Sequence, residues 1–307
     1  MNVAGHVAVL FILIVIGYLA AKLKAVDAAA SGHFSSFIIK VSLPCVIFIS
    51  FQKPFSMELL GEAGLALGVS LVIYGISFAL AAFYPNLLRL KGGERGVHRY
   101  AVVFSNVGFM GYPVVEVILG PAYLFHLSMY NVPFNLFAYS IGAWLIARES
   151  ERPLQLSWRT FINPCVIATI LGFACFLLSV SMPGPLYRSL SMIGDITSPL
   201  SMVVIGITLA QADIRKVLGR WQNYVTVLVR LILLPAAIGG ILYALGIRGH
   251  LLMLSVIITA MPVAANTSIF ASFYGTNAED ASSLVFLSTL LCIGTIPLTV
   301  FVLNALG

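Results

Sequence analysis

What most constrains this chain is the spacing of its charges. Seventeen Lys and Arg and eleven Asp and Glu are spread over 307 residues, and they cluster between long runs that hold almost none. A globular domain carries roughly 25% charged residues, because its surface has to be solvated. Here the figure is 9%, against 60% hydrophobic, and such a chain cannot cover a water-facing surface. The runs have the length of a bilayer-crossing helix, about 20 residues. The pattern points to a polytopic membrane protein and excludes a soluble enzyme, a secreted disulfide scaffold and a disordered tail. The net charge of +6 does not imply nucleic acid, since the bases sit in short pieces between apolar runs, where topology accounts for them. Cys45, Cys165, Cys175 and Cys292 lie inside apolar runs with no paired spacing. They read as small buried residues, not as metal ligands or a disulfide.

Ten candidate spans follow: 5–23, 33–51, 61–84, 98–119, 123–147, 162–181, 189–211, 222–246, 251–274 and 281–304. The connections are short, and the clearest polar loops are 85–99 and 148–160. No base precedes the first run and no convincing cleavage site follows it, so it reads as a retained helix and not a signal peptide. With the N-terminus outside, twelve Lys and Arg fall in cytoplasmic loops and three (Lys53, Arg188, Arg248) on the other side. That bias gives an inner-membrane protein with both termini outside. Glu279 and Asp280 are the discordant pair, on the inner side with no base beside them.

A polar linker at 148–160 divides the chain into 1–147 and 161–307, five spans each. An odd number per half makes the second half enter from the opposite face, the inverted repeat common in secondary transporters. Lys40-Val41-Ser42-Leu43-Pro44 in span two and Asp195-Ile196-Thr197-Ser198-Pro199 in span seven share an offset of 155. Each places an ionisable residue four positions before a proline. Span four holds Asn106, Gly108, Gly111, Tyr112 and Pro113; span nine holds Pro262, Asn266, Thr267 and Ser268. Both are poor material for a continuous helix, since in a helix interior glycine costs about 1 and proline about 3 kcal/mol relative to alanine. The alternatives are two simple kinks or two broken helices crossing at mid-membrane. Freed backbone at that depth must line a cavity. Helix N-termini beginning near Pro113 and after Asn266, together with two carboxamides, would suit a carboxylate. The opposite half-helix ends offer carbonyls that suit a sodium ion.

The string Asn106-Val107-Gly108-Phe109-Met110-Gly111-Tyr112-Pro113, the Pro262–Asn266 segment and ten spans in about 300 residues resemble the auxin efflux carrier family, in its compact bacterial malate, malonate or auxin-type form. The resemblance covers essentially the whole chain; the large cytoplasmic loop of plant relatives is absent. It implies an all-α crossover fold like that of sodium/proton antiporters and bile-acid symporters. In it, spans 1, 2, 6 and 7 form a scaffold, and spans 3–5 and 8–10 a transporter domain. It implies elevator transport of a small organic anion and a possible homodimer. It places Pro113 and Pro262 at the crossover and Asn106 and Asn266 on the substrate carboxylate. In span nine, proline precedes asparagine, the reverse of span four, which leaves the equivalence of the two asparagines open. The proton-linked carboxylate–lysine site of some plant members has no clear match, so proton or sodium coupling stays open; no other cofactor is implied.

The remaining polar residues admit two readings each. Charge within a span is a functional hypothesis by default. Lys40 can snorkel to the cytoplasmic face or act in coupling. Asp195 snorkels poorly and is a coupling or gating candidate. Arg230, near Pro235, can reach a carboxylate or stabilise a helix end. Glu116 is either a gating group or a first-turn acid. Tyr130, Asn131 and Asn135 flank Pro133 and can line the cavity or join helices. His6 and His126 read as interfacial. No metalloprotease, dyad, paired-aspartate or Walker signature is present, so the chain is read as a carrier and not an enzyme. A ligand-binding sensor on a transporter fold and a sodium-coupled symporter remain the alternatives. Its partners are a small organic acid and the lipid bilayer.

Overall fold

The computed structural model describes residues 3–27, 30–148, 150, 163–211 and 219–306. Among these the regular elements are all helical. α1 (Val3–Lys22) is followed by α2 (Ala30–Phe37) and α3 (Leu43–Ser50), which a π segment at Ile38–Ser42 joins. Next come α4 (Met57–Leu87), α5 (Gly93–Val103), a π segment (Val107–Gly111) leading into α6 (Tyr112–Ile118), and α7 (Leu124–Phe137). A further π segment (Ala138–Gly142) leads into α8 (Ala143–Ala147). α9 (Pro164–Leu177), α10 (Gly184–Asp195) and α11 (Thr197–Gln211) follow. α12 (Trp221–Leu228) runs through a π segment (Val229–Leu233) into α13 (Leu234–Ala244); α14 (Gly249–Thr259), α15 (Asn266–Tyr274) and α16 (Ala278–Leu306) complete the chain. Apart from Arg148 and Ser150, the linker expected at 148–160 lies outside the described residues.

Five of these stretches are long and apolar enough to cross a membrane: Ala30–Ser50, Met57–Leu87, Gly184–Gln211, Trp221–Ala244 and Ala278–Ala305. Shorter apolar helices cover Ala8–Lys22, Val107–Ile118, Pro164–Leu177 and Gly249–Thr259. Their outward faces are greasy: Phe83, Leu178 and Phe301 are 75%, 73% and 71% exposed. A water-facing protein rarely exposes such continuous apolar surface. The chain is built for lipid.

Two compact units form, each drawing on both halves of the sequence: 1–68, 108–132 and 158–211 in one, 69–107, 133–157 and 212–307 in the other. In the first, α1 and α11 meet backbone to backbone. A Cβ at Gly17 would stand 2.1 Å from the Val203 carbonyl oxygen, and one at Gly206 2.0 Å from that of Ile14. Only hydrogen fits there, the small-residue device that lets membrane helices approach closely. α3 packs on α9 and α10 in the same unit. Its proline follows directly on the π segment within the continuous stretch Ala30–Ser50, and the π register accommodates the N–H that proline lacks.

In the second unit Tyr84, Leu88, Leu90, Val102 and Val229 form a buried cluster. Beside it, Arg220 ties three helix starts together. It donates to Glu94 at 2.7 Å and to Asp280 at 2.6 Å, and Asn277 adds a 2.8 Å bond to Asp280. The base that Asp280 lacks in the local sequence is therefore supplied from 60 residues away.

Candidate functional site

The second unit contains two helix breaks paired with each other. α5 ends at Val103 and α14 at Thr259. The extended residues that follow lie antiparallel, with a single bridge between Ser105 and Val263. The Asn106 N–H donates to the Pro262 carbonyl at 2.8 Å, and the Ala264 N–H to the Phe104 carbonyl at 3.1 Å. The Val263 N–H donates to the Ser288 hydroxyl at 3.0 Å. These three freed amides gain partners within the protein, as buried backbone must where water is scarce.

Arg230 closes the carbonyl side. Its side chain is fully buried, and its guanidinium donates to the carbonyls of Val102 (2.7 Å), Val103 (3.5 Å) and Met261 (3.3 Å). Those carbonyls terminate α5 and follow α14, where helix dipoles present negative charge. These three bonds place the Arg230 guanidinium at helix-end carbonyls.

The opposite side belongs to α15. Its first residue, Asn266, follows Ala265, which provides no side-chain cap. The Asn266 carboxamide donates to the Tyr139 hydroxyl at 3.3 Å. Tyr139 packs edge-on to Phe270 at 5.8 Å, Phe270 to Tyr100 at 5.7 Å, and Tyr100 on Phe104 at 4.5 Å. The result is a carboxamide and a helix start set among aromatic rings. Thr267 turns inward: its hydroxyl donates to the Ala264 carbonyl at 2.7 Å, and its amide to the same oxygen at 3.0 Å. Asn135 falls in this unit too, on α7.

Other candidates lie in the first unit. The chain resumes helical form at Val107, so Gly108 and Gly111 belong to a π segment and Pro113 sits in the first turn of α6. The opening of this half-helix is thus six residues earlier than Pro113 suggests, because a proline is accommodated wherever its N–H is not needed. The buried Tyr112 hydroxyl lies 3.3 Å from that of Ser128 and beside Asn131. Ser128 lies 3.1 Å from Ser50. Glu116 accepts a bond from the Ser198 hydroxyl. Glu116 and Asp195 line one 270 Å³ cavity with Lys53, Ser50 and Ser191. In the Lys53 loop, burial holds the ammonium below its usual range, with Glu62 pulling the other way. Lys40 sits exposed in the Ile38–Ser42 π segment. His126 pairs with Glu62 at 2.7 Å; His6 falls outside the described side chains.

Sequence reasoning passed over Ser288, Tyr139, Tyr100, Ser50 and Ser128. Serines and tyrosines are common in apolar helices, and nothing in their local sequence marks these.

Comparison with known proteins covers nearly the whole chain. A family model described as "Membrane transport protein" matches residues 2–300. A protein of Rhizobium meliloti (strain 1021) named "Putative malonate transporter" is 25% identical over 310 residues, covering 96% of this chain and 94% of that one. An "Uncharacterized transporter" of Methanothermobacter thermautotrophicus is 26% identical, covering 94% of each. "Auxin efflux carrier component 8" of Arabidopsis thaliana is 21% identical, covering 93% of each. The match along nearly the whole length, on an all-helical chain with several bilayer-length apolar helices, identifies a membrane transport protein and not an enzyme: the chain belongs to the auxin efflux carrier family.

Proposed function

We propose that this chain is a secondary carrier of a small organic anion, either a malonate- or malate-like dicarboxylate or an auxin-like monocarboxylate. The observation that carries the reading is the paired break. Asn106 is hydrogen-bonded at its backbone to Pro262, four residues before Asn266 and the uncapped start of α15. Helix N-termini attract anions through N–H groups and the dipole; at α15 the Thr267 and Ser268 amides already donate to the Ala264 and Ala265 carbonyls, so the dipole and the Asn266 carboxamide carry the attraction. Arg230 balances the carbonyl ends and is spent there, so the anion is held by amides and not by a fixed cation. Binding without a salt bridge keeps the desolvation cost of a buried ion pair out of the cycle, and that suits a carrier that must release its cargo.

The wider architecture belongs to the same reading. Ten spans in two inverted halves, with both termini outside, put the two breaks in spans four and nine. Spans 1, 2, 6 and 7 act as scaffold while 3–5 and 8–10 carry the site across in an elevator cycle. Ser42 and Thr197, 155 positions apart, are both fully buried, as repeat-related positions would be. Tyr112, Gly108, Gly111, Pro113 and Asn131 border the substrate path, and Glu116 and Asp195 serve gating. A dimer is part of the proposal. A sensor on the same fold is the second reading, favoured by the polar network that Thr267 and Ser288 spend on holding the break rigid.

The test is uptake of labelled malonate and indole-3-acetate into proteoliposomes, with and without proton or sodium gradients. Saturable uptake of one of them, lost in Asn106→Ala while the variant keeps wild-type thermal stability, is the expected result. Wild-type flux in Asn106→Ala removes the site assignment, and saturable binding without flux selects the sensor.

A further inference from the structure

A cavity of 540 Å³ lies in the second unit between α13, α14 and the far half of α16. Leu252, Val256, Leu298 and Val302 wall it, and Gly239 and Gly240 form its floor. A Cβ at Gly240 would meet nothing within 4 Å, whereas one at Gly239 would stand 3.1 Å from Val256 Cγ2, so the floor is open at Gly240 and closed by α14 at Gly239. The rim is exposed, Leu298 at 56% and Tyr243 at 52%.

One charged side chain lines it. Arg248 stands in the short turn between α13 and α14, its guanidinium carbon 3.5 Å from the centre of the Tyr243 ring. One nitrogen donates to the carbonyls of Tyr243 and Ile247, which fixes the group at the mouth. Arg248 is also the residue before α14, whose start has no side-chain cap, so guanidinium and helix dipole present positive charge at one place. No carboxylate lines the cavity. The turn ends the apolar stretch Trp221–Ala244, where arginine and tyrosine meet lipid headgroups. From Tyr243 to Leu231 the lining follows α13 and its π segment for about 18 Å, at roughly 1.5 Å per residue. That is slightly more than half of a ~30 Å hydrocarbon core. A groove one leaflet deep, greasy along its length and cationic only at the boundary, fits an acyl chain below an anionic headgroup. A small dicarboxylate would leave its walls unfilled, and a peptide would find almost no partners for its backbone.

We propose that this groove holds one anionic phospholipid, with its phosphate at Arg248 and the start of α14 and one acyl chain lying over Gly239 and Gly240. The site stands apart from the paired break and does not depend on what the chain transports. Native mass spectrometry of the full-length protein, delipidated and offered palmitoyl-oleoyl phosphatidylglycerol or phosphatidylcholine, tests it. One phosphatidylglycerol per chain should be retained, about fivefold over phosphatidylcholine for a single basic contact. Arg248→Gln should abolish that preference, and Gly240→Leu, which fills the floor, should lower occupancy by both lipids. Arg188→Gln, a basic substitution in the other unit, should leave both unchanged. The assignment is overturned if Arg248→Gln keeps the preference or Gly240→Leu keeps wild-type occupancy. Equal retention of oleate would assign the groove to a free fatty acid instead, and a lipid-free dimer that Gly240→Leu splits into monomers would assign it to a second copy.

Discussion

Arg230 is the residue whose role most depends on distant chain. Its carbonyl partners lie 128 and 31 positions away in sequence, so its own neighbours, Val229 and Leu231, give no sign of them. A buried charge costs several kcal/mol unless it is fully partnered, and here the partners are the carbonyl ends of two half-helices. Arg230→Met should therefore cost ~3 kcal/mol or more, read as a lowered unfolding temperature in detergent, with Arg230→Lys recovering only part. Wild-type stability in Arg230→Met would remove the helix-end role. By contrast, Asn106 and Pro262 were legible as a place where helices break, because glycine, proline and asparagine act locally. That the two breaks pair through Asn106 and Pro262 was not, since pairing is a property of space and not of either segment. Thr267 illustrates the same limit: its hydroxyl suggests a ligand, and the fold turns it onto the Ala264 carbonyl.

Among elements, several apolar helices could be read directly from the gaps between charges: the expected spans 5–23, 61–84 and 222–246 end within a few residues of α1, α4 and the run from α12 to α13. The π segments at 38–42, 107–111, 138–142 and 229–233 could not, because each differs from α-helix by one displaced hydrogen bond. Contacts between elements are equally hidden. Gly17 and Gly206 are ordinary glycines in sequence and the tightest contact of α1 with α11 in space. The Arg220 junction of α5, α12 and α16 gives a pH test. Burial raises the Glu94 carboxyl, but bonds from Arg220 and the Lys91 amide, with the charge of Arg220 and His98, hold it below its usual 4.5. A depressed carboxyl stabilises above its unfolded value and loses that contribution as pH falls through the folded one. Thermal stability should drop below about pH 4.5 by roughly 0.5 kcal/mol from this group. The pair is partly solvated, at 35% and 24% side-chain exposure, which keeps the figure small. Asp280 shares the guanidinium, so the quantity to read is the difference from Glu94→Gln, whose stability should fall less over that interval; parallel curves would show the junction carries no charge coupling.

At the scale of the molecule, the bias of Lys and Arg and the five-plus-five count set out a topology that can be tested directly. In a cysteine-free background, a cysteine at Arg188 should react with an impermeant maleimide in intact cells, and one at Lys91 only after permeabilisation. The reverse pattern would invert the proposed orientation. The sequence halves are easy to see, whereas the compact units, each assembled from three separated segments, are not, since span-to-span packing in lipid leaves little trace in hydropathy. The pairing of the breaks also imposes an order on biogenesis. The ribosome must make Arg230 before the end of α5 has its counter-charge, and Pro262 before the Asn106 amide has its acceptor. Until then the first break lacks the backbone partner that Pro262 supplies. It must wait as continuous helix or with water bound, so assembly of this protein is gated by its last third, and chains that stop before residue 262 carry an open backbone that quality control can recognise.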